Sequence, residues 1–392
     1  MKKVTVSAAA LLLTLAACQD PASPGQPQVS ASKSTGSAKD AAAELIPGQY
    51  IVVLNDGVID VDAVVTKLAG KHNGKLKHTY AAALKGFAAE LSSSDAAALA
   101  AEPDVAYVEQ DQVVHAFTTQ SSATFGIDRV DQRNLPLSHT YSYTTTASNV
   151  RAYIIDTGIE TSHPQFGGRA QAVYDALGGN GQDCNGHGTH VAGTVGSASY
   201  GIAKGVMLRA VRVLDCSGSG SNSGVIAGIN WVAANRIAPA VANMSLGGSF
   251  SQATNDAVNK LAKAGVFIAV AAGNSNADAC NSSPSSAANA TTVAASTSTD
   301  AKASFSNYGG CVDVYAPGLN ITSTWLNGGT NTISGTSMAS PHVAGVAALY
   351  KATYGDASYS TIRSWITNNA TANVITGNVS GTPNKLLYKA SL

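Results

Sequence analysis

Four short stretches hold the groups that acyl transfer requires. "YIIDTG" puts Asp156 at the end of an apolar run, and "DCNGHGTHVAGTVG" opens a glycine-rich helical stretch with His187 and His190. "AVAAGNS" presents Asn274, a side-chain amide donor, and "ISGTSMASPHVAGVAALY" sets Ser337 just before an apolar run of helical spacing. Pro341 stands one turn into that run. Proline is accepted in the first turn of a helix, where amide donors have no partner anyway. Ser337 is therefore expected at a helix mouth, beside outward-pointing N–H groups and the positive end of the dipole. Acyl transfer needs a nucleophile, a base within hydrogen-bond reach and an anion that orients the base. It also needs donors aimed at the developing oxyanion. Ser337, His187, Asp156 and Asn274 supply one each.

Each residue has a plainer reading when taken alone. Ser337 has the form of an ordinary helix cap. Asp156 lies in a D-T-G, also the signature of aspartic proteases, but those enzymes need two carboxylates sharing a proton. This chain has one D-[ST]-G, and an aspartate that only ties down a turn is a third reading. His187 and His190 suggest zinc, yet the spacing is not H-E-x-x-H and no adjacent glutamate is present to act as base. What distinguishes the set is its order along the chain: Asp, His, Ser. That order is neither the Ser-acid-His of α/β-hydrolases nor the His-Asp-Ser of chymotrypsin-like enzymes.

The elements that must position these groups are legible around them. "VRAYIIDTG", "VMLRAVRVL", "AVANMSLGG" and "GVFIAVAAGNS" are short apolar runs ending in glycine or polar turns. The helical stretches "GTHVAGTVGS", "SGVIAGINWVAAN" and "TNDAVNKLAKA" separate them. Near-continuous apolar strands alternating with helices predict a parallel sheet covered on both faces. In such sheets, sites form at the carboxyl ends of strands, where the polar motifs lie. The chain has 392 residues, of which 12% are charged and 6% aromatic. Residues 1–117 carry 9 Lys/Arg against 12 Asp/Glu and residues 118–392 carry 15 against 12, hence −3 and +3. No basic stripe points to nucleic acid.

The N-terminal third is organised differently. "MKKVTVSAAALLLTLAAC" (1–18) reads as an export signal, with a basic start and an apolar stretch too short to span a bilayer. "LAAC" resembles the lipobox of bacterial lipoprotein precursors, which would place a lipid on Cys18. Residues 19–45 form a Pro/Ser/Ala-rich tether. Residues 46–117 follow the order β-α-β-β-α-β of a small α+β, ferredoxin-like sandwich. Its elements are expected as a strand in "GQYIVVLND", a helix in "VDAVVTKLAGKH", and two short strands in "TYAAALKGFAAEL" turning near Lys85-Gly86. A capped helix in "SSSDAAALAAEP" and a last strand in "VAYVEQDQVVHAF" complete it. Cys184, Cys216, Cys280 and Cys311, an even number in an exported chain, read as two bridges with three possible connectivities. No CxxC pair favours zinc.

Seven blocks in order, from "DTGIETSHPQFGGRAQ" and "NGHGTHVAGTVG" through "VRVLDCSGSGSNSGVIAGINWV", "ANMSLGG", "VAAGNSNADAC" and "SFSNYGGCVDVYAPG" to "GTSMASPHVAGVAALY", resemble the subtilases. Within that family they resemble the proteinase K branch, nearest the aqualysin-type bacterial enzymes, over roughly residues 46–392. The resemblance implies a three-layer α/β/α catalytic domain with a mostly parallel sheet over residues 118–392. It implies a secreted, bacterial serine endopeptidase acting as a monomer. Ser337 would be the nucleophile, His187 the base and Asp156 its orienter, with Asn274 and the Ser337 N–H as oxyanion donors. "SGSG", with Gly218, Ser219 and Gly220, and "SLGG", with Ser245, Leu246, Gly247 and Gly248, would flank a protein or peptide substrate as an added strand. Gly247, Gly248 and Gly273 would leave room for a large apolar side chain.

Residues 46–117 resemble the inhibitory propeptide of these enzymes, which also helps the catalytic domain fold. Cleavage is then expected between Phe117 and Thr118, with Phe117 filling the main pocket and Val114 a second one. The family pattern pairs Cys184 with Cys216 and Cys280 with Cys311. Structural calcium is expected on Asp313 with the carbonyls of Ala288 and Ala290. A second calcium would use Asp128, Asp131 and Gln132, although Ser138 stands where relatives can have an aspartate. No catalytic metal is implied.

Overall fold

A computed structural model describes residues 45–112 and 118–392. The export signal, Cys18, the tether and the Val114–Phe117 stretch lie outside the described residues. Residues 45–112 form a four-stranded antiparallel sheet in the order Lys75–Tyr80, Gly86–Glu90, Leu45–Leu54, Val105–Gln112. The helices Val61–Lys71 and Ser93–Leu99 carry side-chain caps, Asp60 accepting from Ala63 N and Ser92 from Asp95 N. Val52, Leu54, Val65, Leu68, Phe87 and Leu99 make the core. One strand lies earlier than its sequence suggests. It starts at Lys75, straight after the turn at Asn73 (φ 53°) and Gly74, and ends at Tyr80. Lys75 and Lys77 there meet Glu90 across the sheet as cross-strand ion pairs.

The larger part is built on a nine-stranded sheet. Its order is Thr371–Ala372, Lys385–Leu386, Val314–Pro317, Thr291–Ser296, Phe267–Ala271, Ala240–Met244, Arg151–Asp156, Met207–Arg212, Gln171–Asp175. Every pairing is parallel except that between the first two strands. The strand Arg151–Asp156 shows why there are three layers. Ala152 and Ile154 join a core with Val191, Val195, Val343 and Val346 on one face. Tyr153 and Ile155 join a second core with Val225, Ile229, Val258 and Leu261 on the other. Strands apolar on both sides need helices on both sides. The helices His187–Gly196 and Thr336–Tyr354 cover the first face, and Asn222–Asn235 and Gln252–Lys263 cover the second. Among the described residues, no helix is long and apolar enough to cross a membrane.

Candidate active site

Asp156 ends its strand fully buried, and Thr157 N donates to its Oδ1 at 2.8 Å. His187 opens its helix after Gly186, whose φ of +104° suits glycine and whose missing side chain leaves room for the Trp325 ring. His187 Nδ1 lies 2.7 Å from Asp156 Oδ1. A carboxylate only accepts, so Nδ1 carries the proton and Nε2 keeps its lone pair. Asp183, which motif reading passed over, braces this helix start. Its Oδ1 accepts from Thr157 Oγ1, Asn185 N and Gly186 N, and its Oδ2 accepts from Thr189 N and Oγ1. Burial works to lower the pKa of His187. The charge and hydrogen bond of Asp156, with the charge of Asp183, outweigh it and hold the imidazole above its ordinary 6.5.

Ser337 is the second residue of the helix Thr336–Tyr354, so Pro341 lies in the second turn and not in the first. Proline there removes the N–H that would bond the carbonyl four residues back, which is that of Ser337. Ser245 Oγ takes that place, donating to Ser337 O at 2.7 Å. Asn243, fully buried, donates to Ser245 Oγ at 2.9 Å and accepts from Ser340 Oγ at 2.7 Å. The Ser337 hydroxyl donates to Ser245 O at 3.2 Å, and no direct bond to His187 is formed among the described residues. Both side chains nevertheless line one cavity.

Asn274 Oδ1 accepts from Thr336 N at 2.8 Å and Thr336 Oγ1 at 2.9 Å, which fixes the amide the right way round. The carbonyl side is thereby used, and Nδ2 is left as donor. A Cβ placed on Gly335 would sit 3.5 Å from Asn274 Nδ2 and 3.6 Å from Ser337 N. Two donors therefore converge on one small space at the helix mouth.

Two cavities, of about 550 and 430 Å³, share Leu246, Gly247, Gly248 and Ser337. The first also takes in His187, Gly218, Ser219, Gly220 and Ser245. The second takes in Asn274, Gly273 and Ala271, with Asn281, Ser285 and Asn307 as polar lining. A Cβ on Gly248 would meet nothing and one on Gly247 only the Ser283 carbonyl, at 3.5 Å, but Gly273 is glycine for another reason. Its φ is +104° and an added side chain would strike Asn307 Nδ2, so it makes room for Asn307. Thr118 begins the strand Thr118–Ser121, paired with Thr140–Tyr143 and remote in sequence from these groups.

The disulfides are Cys184–Cys216, with Cα atoms 5.0 Å apart, and Cys280–Cys311, at 5.3 Å. Cys184–Cys216 joins the His187 loop to the Ser217–Gly220 segment. Each bridge closes about thirty residues, worth about 3–4 kcal/mol in the chain-entropy account.

The calcium expectation does not fit the donors. Calcium takes six to eight oxygens, yet Asp313 Oδ1 already accepts from Arg363 Nε at 2.8 Å and Nη2 at 2.6 Å. Asp313 Oδ2 accepts from Thr292 N, and the Ala288 carbonyl accepts from Arg363 Nη1 at 2.9 Å. Ala290 is buried, and its N–H donates to the Ala287 carbonyl at 3.2 Å. At the second set, Asp128 accepts from Ser138 Oγ and His139 N. Asp131 accepts from Ser142 N and pairs with Lys389 Nζ at 3.0 Å, and Gln132 Oε1 accepts from Ser138 N. Among the described residues, no cluster of three His, Cys, Asp or Glu that could hold a metal occurs.

Comparison with known proteins shows the family. The subtilase family model matches residues 148–386, and the peptidase inhibitor I9 model matches residues 49–117. An extracellular serine proteinase of Thermus sp. (strain Rt41A) is 48% identical over 371 residues, 88% of this chain and 90% of its own length. Proteinase R of Parengyodontium album is 43% identical over 357 residues, 89% of this chain and 90% of its own. The crystal structure of a cold adapted subtilisin-like serine proteinase superimposes with a TM-score of 0.68 at 51% identity, over 69% of this chain and 99% of that one. The chain therefore belongs to the subtilase family of serine proteases and carries an I9-type inhibitor segment ahead of its protease domain.

Proposed function

We propose that the chain is the precursor of a secreted endopeptidase of broad specificity that favours apolar or aromatic residues before the scissile bond. Ser337 attacks the scissile carbonyl after its hydroxyl turns from Ser245 O toward His187 Nε2. His187 takes the proton, and Asp156 holds the ring and stabilises its charged form. Asn274 Nδ2 and Ser337 N receive the oxyanion in the space beside Gly335, where a Cβ would lie 3.5 and 3.6 Å from the two donors. That convergence, beside a His187–Asp156 pair at 2.7 Å, is the observation that carries the reading.

Gly218–Gly220 and Ser245–Gly248 hold the peptide main chain as an added strand, so affinity depends little on sequence. The second cavity takes the side chain before the cut. Its small residues admit bulk, while Asn281, Ser285 and Asn307 let a polar tip enter as well. Residues 46–117 act as inhibitor and folding helper for residues 118–392, and the chain cuts itself after Phe117. If Cys18 carries lipid, that cut frees the protease from its tether. N-terminal sequencing of the secreted mature protein, with casein hydrolysis beside a Ser337→Ala control, tests the reading. A mature form starting at Thr118 and a control that stays full-length and inert support it. A control that matures and hydrolyses casein overturns it.

A further inference from the structure

The two oxygen sets expected to hold metal hold protein cations, and the first does so with complete geometry. Arg363 projects from the helix Tyr359–Asn369 and uses all three guanidinium nitrogens. Nε and Nη2 bind Asp313 Oδ1, at 2.8 and 2.6 Å, and Nη1 binds the Ala288 carbonyl at 2.9 Å. Asp313 is buried at the start of the strand Val314–Pro317, and its second oxygen is taken by Thr292 N at 2.8 Å. Both carboxylate oxygens thus already accept hydrogen bonds from the protein, Oδ1 twice from Arg363 and Oδ2 once from Thr292. Lys385 lines the same cavity beside Asp313, so a divalent ion entering there would meet two positive side chains and one negative. The helix is tied to the same loop a second time, since Tyr359 OH donates to Asn289 Oδ1.

We propose that Arg363 is a built-in cation that joins Asp313 to the Ala288 carbonyl, so that this corner of the fold is held without a metal ion. A planar fork of fixed donors suits that task, because it meets a carboxylate and a carbonyl at once and carries its charge at every relevant pH. Lys389, just past the neighbouring strand Lys385–Leu386, pairs likewise with Asp131 and also donates to the Leu392 carbonyl at 2.7 Å. The proposal does not depend on how the chain cleaves peptides.

The test uses the full chain carrying Ser337→Ala, which prevents self-digestion, and compares it with the same chain carrying Arg363→Ala. Removing Arg363 exposes one carboxylate and one carbonyl, a set that binds calcium only weakly, on the order of millimolar. The variant is expected to melt a few degrees lower than its parent in EDTA and to recover more than its parent does in 10 mM calcium. Equal calcium shifts in the two proteins would overturn the proposal. Asp313→Asn gives a second, independent readout should Arg363→Ala fail to fold. Equilibrium dialysis with radioactive calcium is expected to show unchanged binding in Asp313→Asn, and loss of one bound ion per chain would identify Asp313 as a metal ligand and end the proposal.

Discussion

Ser245 and Ser337 hold each other twice: Ser245 Oγ donates to Ser337 O at 2.7 Å, and Ser337 Oγ donates to Ser245 O at 3.2 Å. The first bond exists because Pro341 leaves the Ser337 carbonyl without a donor in its own helix. Ser245→Ala leaves that acceptor unpaired and should cost about 1–3 kcal/mol. In a Pro341→Ala background the helix regains its N–H, so the same change should cost less, by at least about 0.5 kcal/mol. Urea denaturation of the four chains, all carrying Ser337→Ala, measures the difference. Strictly additive costs would show that proline and serine are unconnected.

The pH dependence of catalysis follows from the groups around His187. A general base must be neutral, so activity rises as pH climbs through its pKa. Asp156 and Asp183 hold that pKa above 6.5, and the acid limb of kcat/KM should lie correspondingly high. Asp183→Asn removes one of the two negative charges and should move the limb to lower pH. A profile unmoved by that change would mean that Asp183 shapes the helix start without touching the base.

Losing Asn274 removes one oxyanion donor. Asn274→Ala should lower kcat by about 10²–10³-fold with little change in KM, a magnitude adopted from subtilisin itself and not calculated from this geometry. Steady-state kinetics on a peptide anilide decide the matter, and a variant within a factor of three of the parent would remove Asn274 from the mechanism.

Gly335 offers a sharper version of the same experiment. Its φ of 162° is ordinary extended backbone, so alanine fits without strain. The added methyl would stand about where the oxyanion must enter, 3.5 Å from Asn274 Nδ2 and 3.6 Å from Ser337 N. Gly335→Ala should keep the parent's melting temperature yet lose most of its kcat. Full activity would show that the space beside those donors is not used.

Acid should loosen the protease domain through two histidines that take no part in the chemistry. His190 and His342 are buried, and burial pulls the pKa of each down to about 4. In the unfolded chain they titrate near 6.5, so between pH 6.5 and 4 the unfolded state takes up protons that the folded state refuses. The stability these two histidines govern is therefore complete above pH 6.5 and falls through that window, by up to about 3 kcal/mol per histidine. His187, whose pKa is raised, changes its contribution only above 6.5 and leaves the window undisturbed. Melting temperature against pH checks this, and His342→Gln should flatten the slope. A melting temperature constant from pH 7 to 4 would contradict it.

What the sequence showed, and what it hid, divides along a physical line. Asp156, His187 and Ser337 were legible because each stands where a strand ends or a helix begins, and such ends carry local signals. The layers were legible for the same reason, since apolar runs such as "YIID" are buried on both faces. Pro341 misled by a single turn: the helix starts at Thr336, and a tertiary bond from Ser245 makes the second turn tolerable. Gly273 lines the second cavity, but the room left by its missing side chain is taken by Asn307, which no local signal announces. The tie from Asp313 and Ala288 to Arg363 was hidden, because Arg363 stands 50 positions beyond the first and 75 beyond the second. No spacing rule brings a cation from a later helix onto those oxygens. Counting cysteines does not choose among three connectivities; the family resemblance names Cys184–Cys216 and Cys280–Cys311, and the folded chain holds both.

Labelling with a serine-directed fluorophosphonate, followed by peptide mapping, tests the central claim most directly. One label per mature chain, on the peptide containing Ser337 and abolished by His187→Ala, is the predicted result. Label on another serine, or equal labelling without the imidazole, would contradict the assignment of Ser337 as nucleophile and His187 as its base.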